Sequence, residues 1–205
     1  MNRLDIRNAV RSNLGDAQIT YYSDQEINDS IQDGYNEICA KSLCIVKSTT
    51  INWVSERNYY DFSSIVSDFL GVIGIFNNNT NQWLRDEVSY RDLDRIRQDW
   101  EIWRAEPWMW VPHSPKYTIV CPCQTNASGS FVLWYYAVAP TLSDDTTLLI
   151  LPSDMQRLNE YYSSGDLLES AEEITKAMIW NQRFDPLLMK YKERCHNNTK
   201  ALMHI

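Results

Sequence analysis

Between Asn2 and Leu14 apolar residues fall at Ile6, Ala9, Val10 and Leu14, one stripe at the helical repeat, with Arg3, Arg7 and Arg11 along the opposite side. This pattern predicts a short helix capped by Asn2 and stopped at Gly15. A second start signal follows. Ser23-Asp24-Gln25-Glu26 has the reciprocal spacing of a capping box, Tyr22 and Ile27 can form a hydrophobic staple, and Ile27, Ile31, Gly34, Tyr35 and Ile38 continue one face to about Lys41. The two helices are expected to pack as an antiparallel pair.

At Cys44 the period shortens to two, and Ile45, Thr49, Ile51 and Trp53 share a face of a β-branched run. Ser55 to Asn58 reads as a turn, residues 59–62 as a returning strand, 69–76 as an apolar strand, and Asn77 to Asn81 as a polar turn into Trp83-Leu84. Together they suggest a meander of consecutive strands. Ser89 caps a helix expected over 89–104 through Leu93, Ile96, Trp100 and Trp103, and two more strands, 117–120 and 131–139, flank a polar loop at 124–129. After Pro140 helix signals resume: Ser153 with Gln156 at capping-box spacing, a stripe through Leu167, Ala171, Ile174 and Met178, and Asp185-Pro186 opening a last helix. The fold class that follows is α+β. Residues 1–43 and 141–205 form a helical bundle, and 44–140 an inserted small antiparallel β domain with a Trp-rich helical insertion at 89–112.

An apolar content of 44% with 22% charged residues supports a packed core and excludes the highly charged disordered class. No run approaches the roughly 18 apolar residues of a membrane span, so no membrane partner is expected. Acidic and polar residues stand where a secretion signal would be apolar, which predicts synthesis in a cytosol. There the five cysteines, an odd number, are expected as reduced thiols. The net charge of -8 has the wrong sign for gripping a phosphate backbone.

Cues for catalysis are weak. Gly71-Val72-Ile73-Gly74 lies within a strand pattern with no Gly-Lys-Ser/Thr, and His113, His196 and His204 are scattered with no His-Glu-x-x-His. Cys121-Pro122-Cys123 with Cys195-His196 has four soft ligands, but the first pair is spaced too closely for an ordinary structural zinc site. Asp144-Asp145 and Glu172-Glu173 read as solvated faces. No cofactor, metal or catalytic residue is assigned. The tryptophans stand out: Trp83, Trp100, Trp103, Trp108, Trp110 and Trp134 exceed what one core of this size needs, which suits an interface or, alternatively, a sugar-stacking surface.

Several stretches taken together resemble the head-to-tail adaptor, or connector, proteins of tailed bacteriophages. LDIRNAVRSNLGD and YYSDQEINDSIQDGYNEICA are similar to the family's first two helices, VLWYYAVAPTL to its last strand, LLILPSDMQRLNEYY to the entry into its C-terminal helices, and YKERCHNNTK to their basic end. NYYDF lacks the family's proline, and residues 89–112 look like an insertion. The aromatic and asparagine content resembles ring proteins of short-tailed phages, the crAss-like group among them.

The resemblance implies a non-enzymatic virion protein at the head–tail junction, made in the host cytoplasm. It would form a twelvefold ring of its own copies that binds the portal protein and a tail or second ring protein, and DNA would pass through the lumen without tight binding. Lys190, Lys192, Arg194 and Lys200 are the expected portal contacts. Asn77, Asn78, Asn79, Trp108 and Trp110, with the Ser55 to Asn58 turn, are the expected tail-side or inter-subunit positions. The alternative is a carbohydrate-binding or other tail-associated module using Trp108 and Trp110 as stacking platforms.

Overall fold

Both N-terminal helices begin where side chains take up the free amides of a first turn. In α1 (Arg3–Leu14) the Asn2 side chain accepts from the Asp5 N–H at 2.8 Å and the Asp5 carboxylate accepts from the Asn2 N–H at 3.0 Å. Ser23 and Glu26 form the same reciprocal pair at the start of α2 (Asp24–Ser42). Removing such a cap costs about 1 kcal/mol. α1 ends at Gly15, whose φ of 71° lies in the left-handed region that a Cβ disfavours. The structure is a computed structural model that describes residues 1–16, 21–86, 89–113, 117–123, 129–153 and 155–203, with side chains of the last helix as far as 198.

The remaining elements are β1 (Val46–Asn52), β2 (Tyr59–Tyr60), α3 (Phe62–Ile65), β3 (Phe69–Asn77), β4 (Gln82–Trp83), α4 (Tyr90–Ile96), β5 (Met109–Pro112), β6 (Thr118–Cys121), β7 (Ser130–Ala137), α5 (Gln156–Ser170) and α6 (Ile174–Met203). The fold is α+β. Two compact units divide the chain, residues 1–45 with 138–205, and residues 46–137.

In the helical unit α5 packs on α6, α2 and α1. Ile6, Val10, Ile27, Ile31, Tyr35, Ile38, Leu158, Leu167 and Phe184 are buried in its core. α2 approaches α5 through Gly34, where a Cβ would stand 2.7 Å from Tyr162 Cδ1 and 2.9 Å from Asn159 Oδ1. The Asn159 side chain, fully buried, donates to the Ile31 carbonyl at 3.1 Å across the same crossing.

The arginine face of α1 turns inward: Arg7 and Arg11 are only 8% and 6% exposed. Arg3 and Arg7 bind Asp145 at 2.9 and 2.6 Å, and Arg11 binds Asp16 at 3.0 Å and Asp24 at 2.6 Å. Asp145 is thus not the unengaged acidic residue expected. Arg7 first, and Arg3 beside it, hold its carboxyl below the usual range.

Two helix boundaries also depart from expectation. The Leu167 to Met178 stripe is broken because Glu172 adopts φ 61°, its N–H reaching Glu169 O and the Glu173 N–H reaching Leu168 O, a complete Schellman closure of α5. Ile174 and Met178 are consequently exposed. Pro186 lies inside α6 rather than opening a helix. Phe184 and Leu188, buried on either side of it, keep the axis against α5 despite the missing amide. Ser153 does not cap α5 either: Met155 occupies that position with no side-chain cap, and the Gln156 amide donates to the Leu151 carbonyl at 3.0 Å.

The second unit holds a four-stranded antiparallel sheet, order β1-β7-β3-β4, and a three-stranded antiparallel sheet, order β2-β6-β5. The expected meander is replaced by a non-local order with β7 between β1 and β3. β7 alternates strictly, burying Phe131, Leu133, Tyr135 and Ala137, and its eight residues can serve the seven of β1 and the nine of β3 together. The helix expected over 89–104 stops at Ile96. Ser89 gives it no side-chain cap hydrogen bond, and the chain turns to bury Trp100 with Leu93, Met109, Val111, Ile119 and Cys121. Trp100 Nε1 donates back to Asp94 at 2.9 Å.

Candidate interaction surfaces

A 30-residue helix packed along one side must present the rest of its circumference outward. On α6, Lys190, Lys192 and Arg194 are all exposed, but the helical repeat separates them: Lys190 and Arg194, four apart, share a side, and Lys192 lies on the other. The Lys200 side chain lies outside the described residues. Two further cations that sequence reasoning missed, Lys176 and Arg183, fall within about 40° of Lys190 and Arg194 around the axis. The seven-residue spacing of 176, 183 and 190 is the signal that could have found them. Lys176 pairs with Glu173, Arg183 sits over the Trp180 ring at 5.1 Å and Arg194 over Tyr191 at 5.5 Å. Beside this stripe a groove of about 710 Å³ is lined by Tyr21, Tyr22, Leu168, Ile179 and Trp180. Tyr21 and Ile179 are exposed within it, so the stripe is bordered by apolar surface.

The asparagine run of the β unit divides at its first residue. Asn77 is the last residue of β3 and fully buried, a correction to its expected place on an exposed turn. Its Nδ2 donates to Glu106 Oε1 at 2.9 Å and to the Pro107 carbonyl at 3.2 Å, while its Oδ1 accepts from the Asn79 N–H at 2.9 Å, fixing the turn that follows. Asn78 and Asn79 are exposed, and Asn78 Nδ2 donates to Ser130 Oγ at 2.8 Å. Ser55, Glu56 and Arg57 are exposed, whereas Asn58 is buried and donates to the Glu101 carbonyl at 3.1 Å.

The tryptophans are mostly structural. Trp53, Trp100 and Trp110 are buried, Trp83, Trp103, Trp134 and Trp180 are half-buried, and only Trp108 is counted exposed, at 38%. Trp110 is thereby corrected from a surface position to an interior one: β5 pairs with β6 on one side, and on the other the Trp110 N–H donates to the Arg85 carbonyl at 2.9 Å. Trp108 packs edge-on against Trp103 with centroids 6.4 Å apart, and with Trp83, Arg85 and Glu106 it borders a hollow of about 380 Å³.

All five cysteines are free thiols. Cys44 and Cys39 approach to 3.9 Å between sulfurs, and the hydrogen bond between them lowers the Cys44 thiol to about 7 while raising that of Cys39. Burial pushes Cys121 up to about 12, the wrong direction for a ligand thiolate. Among the described residues no group of three or more His, Cys, Asp or Glu side chains could hold a metal ion, and no helix is long and apolar enough to cross a membrane.

What these surfaces offer is binding: a cationic stripe edged by apolar side chains, and a polar turn next to one exposed indole. No curated protein matches the chain. The family model described as SU10 adaptor protein matches residues 1–200, and the chain belongs to that family, the adaptors of the bacteriophage head–tail junction.

Proposed function

We propose that this protein works as a ring subunit, twelvefold, that seats on the portal protein, receives a tail or second ring protein and lets DNA pass through its lumen. The observation that carries this reading is the family match over nearly the whole chain. Two features add to it. The stripe of Lys176, Arg183, Lys190 and Arg194 is the portal-facing surface, an arrangement suited to steering toward an acidic partner, with Lys192 and Lys200 as further contacts. Asn78, Asn79, Trp108 and the exposed part of the Ser55 to Asn58 turn face the tail or a neighbouring subunit, while Asn77 and Trp110 act only by holding those positions. The net charge of -8 keeps a lumen from gripping DNA. Its role is structural and needs no catalysis, and its place is the virion after synthesis in the host cytoplasm. The carbohydrate reading needs stacking platforms, and with Trp110 interior only Trp108 is left for it, so the observations favour the adaptor.

Native mass spectrometry of the protein mixed with its phage's purified portal tests the proposal. The expected product is a portal bearing a stoichiometric ring, with the Lys190→Glu/Arg194→Glu variant at least about tenfold weaker in binding. A folded protein that leaves the portal mass unchanged would overturn it.

A further inference from the structure

β1 is an edge strand, and its pairing shows which way its amides point. The Trp53 N–H donates to the Gly129 carbonyl at 3.2 Å, so in an antiparallel ladder the residues of the same parity, Lys47, Thr49 and Ile51, direct their backbone groups at β7. Ser48, Thr50 and Asn52 direct theirs outward. All three are exposed, and among the described residues no strand pairs along that side. Natural edges are blunted by proline, bulges or charge. This one runs seven residues with no proline, keeps an unshifted register against β7, and has a single charge, Lys47, which is already paired with Asp68 at 2.5 Å.

The edge is also complementary to itself. Turned about a two-fold axis through Thr50, its outward residues meet as Ser48 with Asn52 of the second copy, Thr50 with Thr50, and Asn52 with Ser48. Each is a hydrogen-bonded pair that exchanges two backbone bonds, so the register satisfies every outward amide and carbonyl of the three residues. Their side chains lie on one face, where hydroxyl and amide groups oppose one another and no like charges meet.

We propose that two copies of this chain join through their β1 edges, in antiparallel register about Thr50, as a dimer of the free protein. Three residues a side make a small contact, so the pair is weak and concentration-dependent. A two-fold contact closes on itself and cannot propagate around a ring. The dimer is therefore a state before incorporation, one that covers an aggregation-prone edge until assembly. The pairing itself stands on the geometry of β1 alone; its place before incorporation rests on the ring reading.

Sedimentation velocity on the full chain, from about 5 to 300 µM, tests it. The wild type should shift from monomer to dimer across that range. Thr50→Lys and Thr50→Glu each set like charges directly opposite across the axis and should each raise the dissociation constant about fivefold or more, while an equimolar mixture of the two restores dimer. Circular-dichroism melting shows that each variant is folded. If Thr50→Lys folds poorly, Thr50→Pro removes an amide that has no backbone partner among the described residues and should abolish the dimer. A wild type that stays monomeric throughout, charge variants that dimerise like it, or a mixture that fails to recover would each overturn the proposal.

Discussion

Replacing Arg11 with methionine removes a guanidinium that donates at 3.0 Å to Asp16, 3.1 Å to the Tyr22 carbonyl and 2.6 Å to Asp24. The helix keeps a good former of similar length, so the effect isolates the charge. Asp24 is half-exposed and can turn to water, but the Asp16 side chain, 1% exposed, cannot. Breaking a buried pair by removing one partner costs about 3–5 kcal/mol, because the buried charge that remains loses the cation that compensated its desolvation. Asp16 still accepts the Tyr21 and Tyr22 N–H groups at 3.1 Å, which places Arg11→Met at the lower end, about 3 kcal/mol. For a chain of this length that lowers Tm by about 6–12 °C. Thermal melts at pH 7 followed by far-ultraviolet circular dichroism measure it. The double variant Arg11→Met/Asp16→Asn, which takes away the Asp16 charge as well, should recover most of the loss. A single variant within about 2 °C of wild type, or a double variant no better than the single, would refute the argument that the arginine face of α1 is a buried electrostatic clamp.

Two further perturbations probe other parts of the helical unit. Glu172→Gly relieves a left-handed residue at the end of α5 and should raise stability by about 0.5–1 kcal/mol, an increase of a few degrees in Tm; no gain would mean that Glu172 has interactions outweighing its backbone strain. Iodoacetamide labelling followed by mass spectrometry should show Cys44 at half its maximal rate near pH 7, and Cys39→Ala should move that midpoint up toward the ordinary thiol value. Since the folded thiol is the more acidic, the associated stability is present above the unfolded pKa and is lost as pH falls through about 7; equal stability at pH 6 and pH 9 in wild type and Cys44→Ser would contradict this.

What could be read from the sequence was what neighbouring residues decide. Asn2 with Asp5 and Ser23 with Glu26 cap helices through contacts three residues apart, and the Ile27 to Ile38 stripe is buried as its spacing requires. What escaped was decided at long range. Nothing near Arg7 announces Asp145, 138 residues away, so the partners of the charged side of α1 could not be read. Nothing in β1 announces that β7 rather than β2 is its partner. Pro186 gives a strong local stop signal that Phe184 and Leu188 override only once α5 is in place. Among the candidate interaction residues, Lys190, Lys192 and Arg194 are exposed, as charged side chains usually are, whereas Asn77 was mistaken for turn because a polar run carries no mark of where its strand ends.

The β unit begins at Val46 and ends at Ala137, and Val46 lies directly across the ladder from Tyr136. The chain therefore enters and leaves this unit at neighbouring points, about 5 Å apart across one strand pair. A helical framework interrupted in this way needs only those two anchor points to be kept. Recombination between phage genes at codons 45 and 138 could exchange the whole insert, or shorten it to a hairpin, while the flanking helices keep the same distance to bridge. The β unit of such an adaptor can in that way diversify at a pace of its own.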